Sequence, residues 1–69
     1  MANIPIAPIV RIAKDNKVER IGTKASMALV EAAEDYVAKV AKRASELAKH
    51  AGRKTVKEED VTEAVKQLQ

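Results

Sequence analysis

Apolar positions recur at helical spacing in three stretches of the chain, and the pattern lapses near Lys17–Gly22 and again at Gly52–Lys57. The first stretch predicts a helix from about Pro5 to about Asp15, with Ile6, Ile9, Val10 and Ala13 on one face. Pro5 and Pro8 fit its first turn, where the missing N–H would have no partner anyway. The third stretch predicts a helix from about Lys57 to Leu68, with Val61, Ala64, Val65 and Leu68 on one face. Glu58, Glu59 and Asp60 crowd its first turn, where the helix dipole favours negative charge. The middle helix is expected from about Thr23 to about Ala51, without an internal Pro or Gly. Gly22 or Thr23 would cap its start, and Gly52 stands where a left-handed residue would end it. Lys49 and His50 occupy its last turn, as the dipole prefers.

The middle helix has too wide an apolar arc for one neighbour. Leu29, Val30, Ala33, Tyr36, Val37, Val40, Ala41, Ala44, Leu47 and Ala48 cover about half its circumference, against the ~100° stripe of a helix packed on one side. It is also too long for a monomer core. A helix of this length spans ~42 Å, and a compact chain of 69 residues is only ~28 Å across. Two copies crossing antiparallel near Tyr36 would cover both overhangs with twofold symmetry. Ala32 and Ala33 would let the backbones approach there. A plain antiparallel coiled coil is the alternative, but it leaves the apolar faces of the short helices unexplained.

Composition sharpens this picture. The apolar share is 46%, yet thirteen of those residues are Ala, and Tyr36 is the one aromatic. So small a core in a single domain spanning residues 1–69 calls for a disulfide, a metal or a partner. There is no Cys, and one His is a poor basis for a metal site, so an oligomer is expected and no cofactor. No apolar run approaches the ~20 residues of a membrane span. The start lacks the basic and apolar regions of a signal peptide, so a soluble, cytoplasmic protein with no membrane partner is the expectation. With one His, Ser26 and Ser45 as the only serines and no glycine-rich loop, neither an enzyme nor a small-molecule substrate is expected.

The net charge is +3, and its distribution says more than its size. Lys17 and Arg20 fall in the first interhelical loop, and Arg53, Lys54 and Lys57 in the second. An antiparallel dimer would set the first loop of one chain beside the second loop of the other, at both ends. Arg11 and Lys14 on the first helix would add a central patch. Such patches suit phosphates of a long, bent polyanion, bound with steep salt dependence and little sequence preference. No aromatic set offers a stacking platform for single strands. Ordinary solvated loops are the plain alternative.

The segment His50-Ala51-Gly52-Arg53-Lys54-Thr55-Val56-Lys57, followed by Glu59-Asp60-Val61, resembles the signature of archaeal histones. The start, Ile4-Pro5-Ile6-Ala7-Pro8-Ile9 with Arg11-Ile12 and later Glu19-Arg20, resembles the same family. The resemblance covers essentially the whole chain. It implies an all-α histone fold of short, long and short helices, paired head-to-tail into a handshake homodimer or with histone paralogues. It implies that double-stranded DNA is the partner, wrapped into nucleosome-like particles or superhelical polymers. Arg20 would enter the minor groove, where narrow width concentrates negative potential. Thr55 and Lys54 would contact phosphate, and Arg11 and Lys14 would serve the central site. Arg53 and Asp60 would form an ion pair bracing the second loop. Leu47, His50 and Asp60 would form the contact between dimers, although His50 is otherwise readable as a helix-terminal cation.

Two departures bear on assembly. Lys17 stands where tightly stacking members usually have Gly, which implies looser turn-to-turn stacking. Asp35 and Lys66 remain as a pair that could bridge superhelical turns. Gly22-Thr23 opens the long helix where relatives often have Ser followed by an acid, so its capping is expected to be weaker. The rival reading is a histone-fold module that dimerises to build a protein complex without wrapping DNA. Such modules often lose the loop arginine and the Arg–Asp pair, and this chain has Arg20, Arg53 and Asp60.

Overall fold

A computed structural model describes residues 4–69. It contains α1 (Ile6–Asp15), α2 (Thr23–His50) and α3 (Glu58–Leu68), with no strand among the described residues. Each helix differs from the sequence expectation by one residue at one end. Pro5 is the N-cap of α1 rather than its first residue, and Lys57 plays the same part for α3. Contacts group into two compact units, Met1–Asp35 and Tyr36–Gln69, so α2 gives its first half to one and its second half to the other.

α1 and α2 end in the same way. At the end of α1, Val18 N–H donates to Ala13 O (3.2 Å) and Lys17 N–H to Lys14 O (3.1 Å). At the end of α2, Arg53 N–H donates to Ala48 O (2.9 Å) and Gly52 N–H to Lys49 O (2.9 Å). This is the Schellman pattern, which satisfies the last carbonyls and needs a left-handed residue at its turn. Gly52 supplies it for α2, with φ +77°. Lys17 supplies it for α1, with φ +74°. The Asn16 side chain adds a further donor to Ile12 O at 2.8 Å.

In the first unit the core holds Ala13, Val30 and the polar Ser26. Ser26 Oγ is satisfied by donating to Gly22 O at 3.0 Å, one turn back. In the second unit Val40, Ala44 and Ala64 form the buried cluster, with Leu47 and Val65 packed against it. Small residues let α2 and α3 lie close there. The apolar arc predicted for α2 is divided: Val30, Val40, Ala44 and Ala48 are buried, whereas Leu29, Tyr36 and Val37 remain exposed. The faces of the short helices are divided too, with Ile6, Val61 and Leu68 exposed. Among the described residues Val30 is the largest fully buried side chain, and ten large apolar side chains remain exposed.

Candidate nucleic-acid interface

The second loop is built around a single carboxylate. Asp60 lies at the third position of α3 and is 5% exposed. Its Oδ2 accepts from the Lys57 N–H at 2.8 Å, which caps the start of α3. Lys57's ammonium has no lone pair to return the bond, so the cap is one-sided. Arg53 grips the same carboxylate in two-pronged fashion, Nη1 to Oδ2 at 2.9 Å and Nη2 to Oδ1 at 3.0 Å. The Arg53 hydrogen bonds and the Lys57 N–H hold the Asp60 carboxyl down at about 2, against the opposing effect of burial. The Asp60 hydrogen bond correspondingly raises Arg53.

Arg53 also reaches two further groups. Its Nη1 donates to the Thr55 carbonyl at 3.0 Å, and Nη2 lies 3.5 Å from Glu59 Oε1. The guanidinium therefore ties the loop backbone to the first turn of α3. With its carbonyl taken by Arg53, Thr55 keeps its N–H and hydroxyl without a partner among the described residues. Lys54 is exposed and likewise unpartnered there. The expected Arg53–Asp60 pair is thus present, and the two expected phosphate-contacting residues are presented by the loop it braces.

In the first unit, Arg11 and Lys14 lie three residues apart on α1, both exposed, while Ala13 faces the core. Arg20 is exposed in the loop between α1 and α2. Neither Arg20 nor Lys17 has an ion-pair partner among the described residues. Lys17 carries a conformational burden. A side chain in the left-handed region costs roughly 1–2 kcal/mol, whereas a cation at an exposed helix C-terminus returns about 0.3–1 kcal/mol. The dipole alone does not offset the strain.

The three residues expected between dimers lie in the second unit, in different settings. Leu47 is half-buried against the core cluster, Asp60 is held by Arg53, and His50 ends α2 exposed to solvent. No hydrogen bond joins His50 to Asp60 within the chain. Asp35 and Lys66 are exposed. Among the described residues no three His, Cys, Asp or Glu side chains gather as a metal site. None of the helices found there is long and apolar enough to cross a membrane.

Several features were missed in the sequence. One is the Arg53–Thr55 carbonyl bond. Another is a surface network in which Arg43 pairs with Glu46 and donates to Gln67, which in turn donates to Glu63. The left-handed conformation of Lys17 was signalled only by the glycine expected at that position.

Short, long and short helices, a loop braced by an Arg–Asp pair and divided apolar faces define a histone-fold protein. The profile described as histone-like transcription factor (CBF/NF-Y) and archaeal histone matches residues 2–65, and the chain belongs to that family. The chain is 53% identical over 66 residues to an archaeal histone HAN1 subunit of Thermococcus zilligii, covering 96% of this chain and 98% of the relative. It is 44% identical over 66 residues to the probable archaeal histone 3 of Methanocaldococcus jannaschii, with the same coverage of 96% and 98%. Archaeal histones are structural DNA-binding proteins rather than enzymes.

Proposed function

We propose that this chain is a chromatin protein that binds double-stranded DNA without sequence preference, acting as a single histone-fold domain in a handshake homodimer. The braced second loop is the observation that carries the reading. Arg53 fixes that loop through Asp60 and the Thr55 carbonyl, leaving the Lys54 ammonium and the Thr55 N–H and hydroxyl free for phosphate. Donors held in place in advance bind phosphate with less ordering cost than mobile ones. Pairing would cover Leu29, Tyr36, Val37 and Val61 and bring Arg20 of one chain beside Lys54 and Thr55 of the other. Arg11 and Lys14 then serve the middle of the DNA path. Heterodimers with histone paralogues use the same face.

Dimers assemble along DNA through Leu47, His50 and Asp60, and the DNA is wrapped. A carboxylate offers about four acceptor positions. Asp60 uses three within its own chain, so one remains on Oδ1 for a donor from a neighbouring dimer. Asp35 and Lys66 contact adjacent superhelical turns, and the bulk and charge of Lys17 loosen that stacking. The protein resides on the chromosome, in the cytoplasm.

Nuclease digestion of long duplex DNA bearing the protein tests the reading. Regularly spaced protected fragments are expected. Random digestion at saturating protein would refute wrapping and favour an interaction module. Arg20→Ala should weaken binding and flatten its salt dependence.

A further inference from the structure

Lys17 is the one non-glycine residue with positive φ among the described residues. It occupies the Schellman position that Gly52 fills at the end of α2. The turn is firmly made, with Asn16, Lys17 and Val18 N–H groups all bonded to carbonyls of α1. Lys17 is therefore presented from a fixed backbone. It is exposed, and its ammonium has no hydrogen-bond or ion-pair partner among the described residues. The neighbouring acids Asp15 and Glu19 do not pair with it either. The left-handed backbone is held by the turn's hydrogen bonds, and the Lys17 side chain adds nothing to them inside the chain. A lysine kept where glycine is free of strain, with its side chain unused inside the chain, points to use outside it.

We infer that Lys17 is an additional phosphate contact of the first loop, engaging the duplex backbone next to the place assigned to Arg20. Lys14, Lys17 and Arg20 follow at three-residue steps, all exposed and unpaired among the described residues. Their ligand class is the phosphodiester of a polyanion. The inference rests on the DNA-binding reading above and adds to it. Lys17 then does more than obstruct stacking between turns: it holds DNA within a single dimer.

The test uses the full chain and a duplex long enough for one dimer but too short for a second, so that stacking cannot contribute. Affinity is measured against salt concentration. Lys17→Gln removes the charge and keeps the backbone strain, Lys17→Arg keeps the charge, and Lys17→Gly removes both. Removing one cation from a phosphate should reduce the slope of log K on log salt by about 0.9, so by about 1.8 for the two copies in a dimer. The Gln and Gly variants should show that reduction, and the Arg variant should keep the wild-type slope. A Gln variant with the wild-type slope overturns the inference, including the case where it changes only self-association without DNA. Wild-type protein that shows no salt-dependent binding to this duplex would instead remove the DNA-binding reading itself, and this inference with it.

Discussion

The two Schellman turns invite opposed substitutions at Lys17 and Gly52, which have nearly the same φ, +74° and +77°. A Cβ placed on Gly52 meets nothing within 4 Å, so Gly52→Ala introduces no clash and its effect is purely conformational. A left-handed L residue costs roughly 1–2 kcal/mol, and the reduced freedom of the unfolded chain returns about 0.4–1 kcal/mol. The net is a destabilisation of about 1 kcal/mol for Gly52→Ala. Lys17→Gly runs the same comparison in reverse and should stabilise by about 1 kcal/mol. In a domain of this size each should shift Tm by roughly 4–8 °C, in opposite directions. Lys17→Gly also removes a cation from the end of α1. Melts at ~1 M salt, where the Debye length is ~3 Å, suppress that contribution. Lys17→Gln is the control, losing charge but keeping the strain, and should leave Tm unmoved at high salt. Circular dichroism melts at one fixed protein concentration provide the readout. Shifts of the same sign for Gly52→Ala and Lys17→Gly, or an unmoved Tm for Lys17→Gly at high salt, would refute the reasoning.

Other tests address the brace, the pairing and the contacts. The Asp60 carboxyl sits at about 2 when folded, against 3.8 ordinarily, so its stabilising effect is fully present above about 4 and fades as pH falls toward 2. Melts from pH 2 to 7 should show Asp60→Asn less stable than wild type at neutral pH and the gap closing through that window; a constant gap would contradict the brace. If pairing covers Tyr36 and Val37, Tm should rise with protein concentration, and Val37→Lys should abolish the rise along with the dimer in sedimentation equilibrium. A wild-type Tm independent of concentration would exclude obligate pairing. Lys54→Gln should reduce the salt slope of duplex binding by about 0.9 for each copy engaged, without changing Tm appreciably; an unchanged slope would remove Lys54 from the DNA contacts.

Much of the fold was legible because α-helical spacing is a local property. Ile6, Ile9, Val10 and Ala13 marked α1, and the run from Thr23 without Pro or Gly marked α2. Gly52 announced its own turn, since glycine is the residue that takes positive φ freely. Lys17 gave no such signal in itself: a lysine after a helix reads as an ordinary solvated cation, and only the backbone shows its left-handed state. The divided face of α2 was readable as an arc too wide for one neighbour. Which part of it turns inward depends on tertiary packing, so the exposure of Leu29, Tyr36 and Val37 beside buried Val30 and Val40 was not.

The loop chemistry shows the same boundary between local and tertiary information. Arg53 and Asp60 are seven residues apart, and resemblance suggested their pairing. Nothing in the sequence indicated that the same guanidinium would also take the Thr55 carbonyl. That bond changes the role of Arg53. A cation whose donors are committed to Asp60 and Thr55 O is poorly placed to bind phosphate, although its charge counts among the basic residues of the loop. It acts instead through the backbone, holding the Thr55 carbonyl while the other polar groups of Thr55 stay without a partner among the described residues. The count of positive charges therefore overstates the phosphate-binding capacity of the second loop, and the capacity that remains lies with Lys54 and the free donors of Thr55. The first loop is the opposite case. Lys17 is exposed and has no ion-pair partner among the described residues, which leaves it as an available cation.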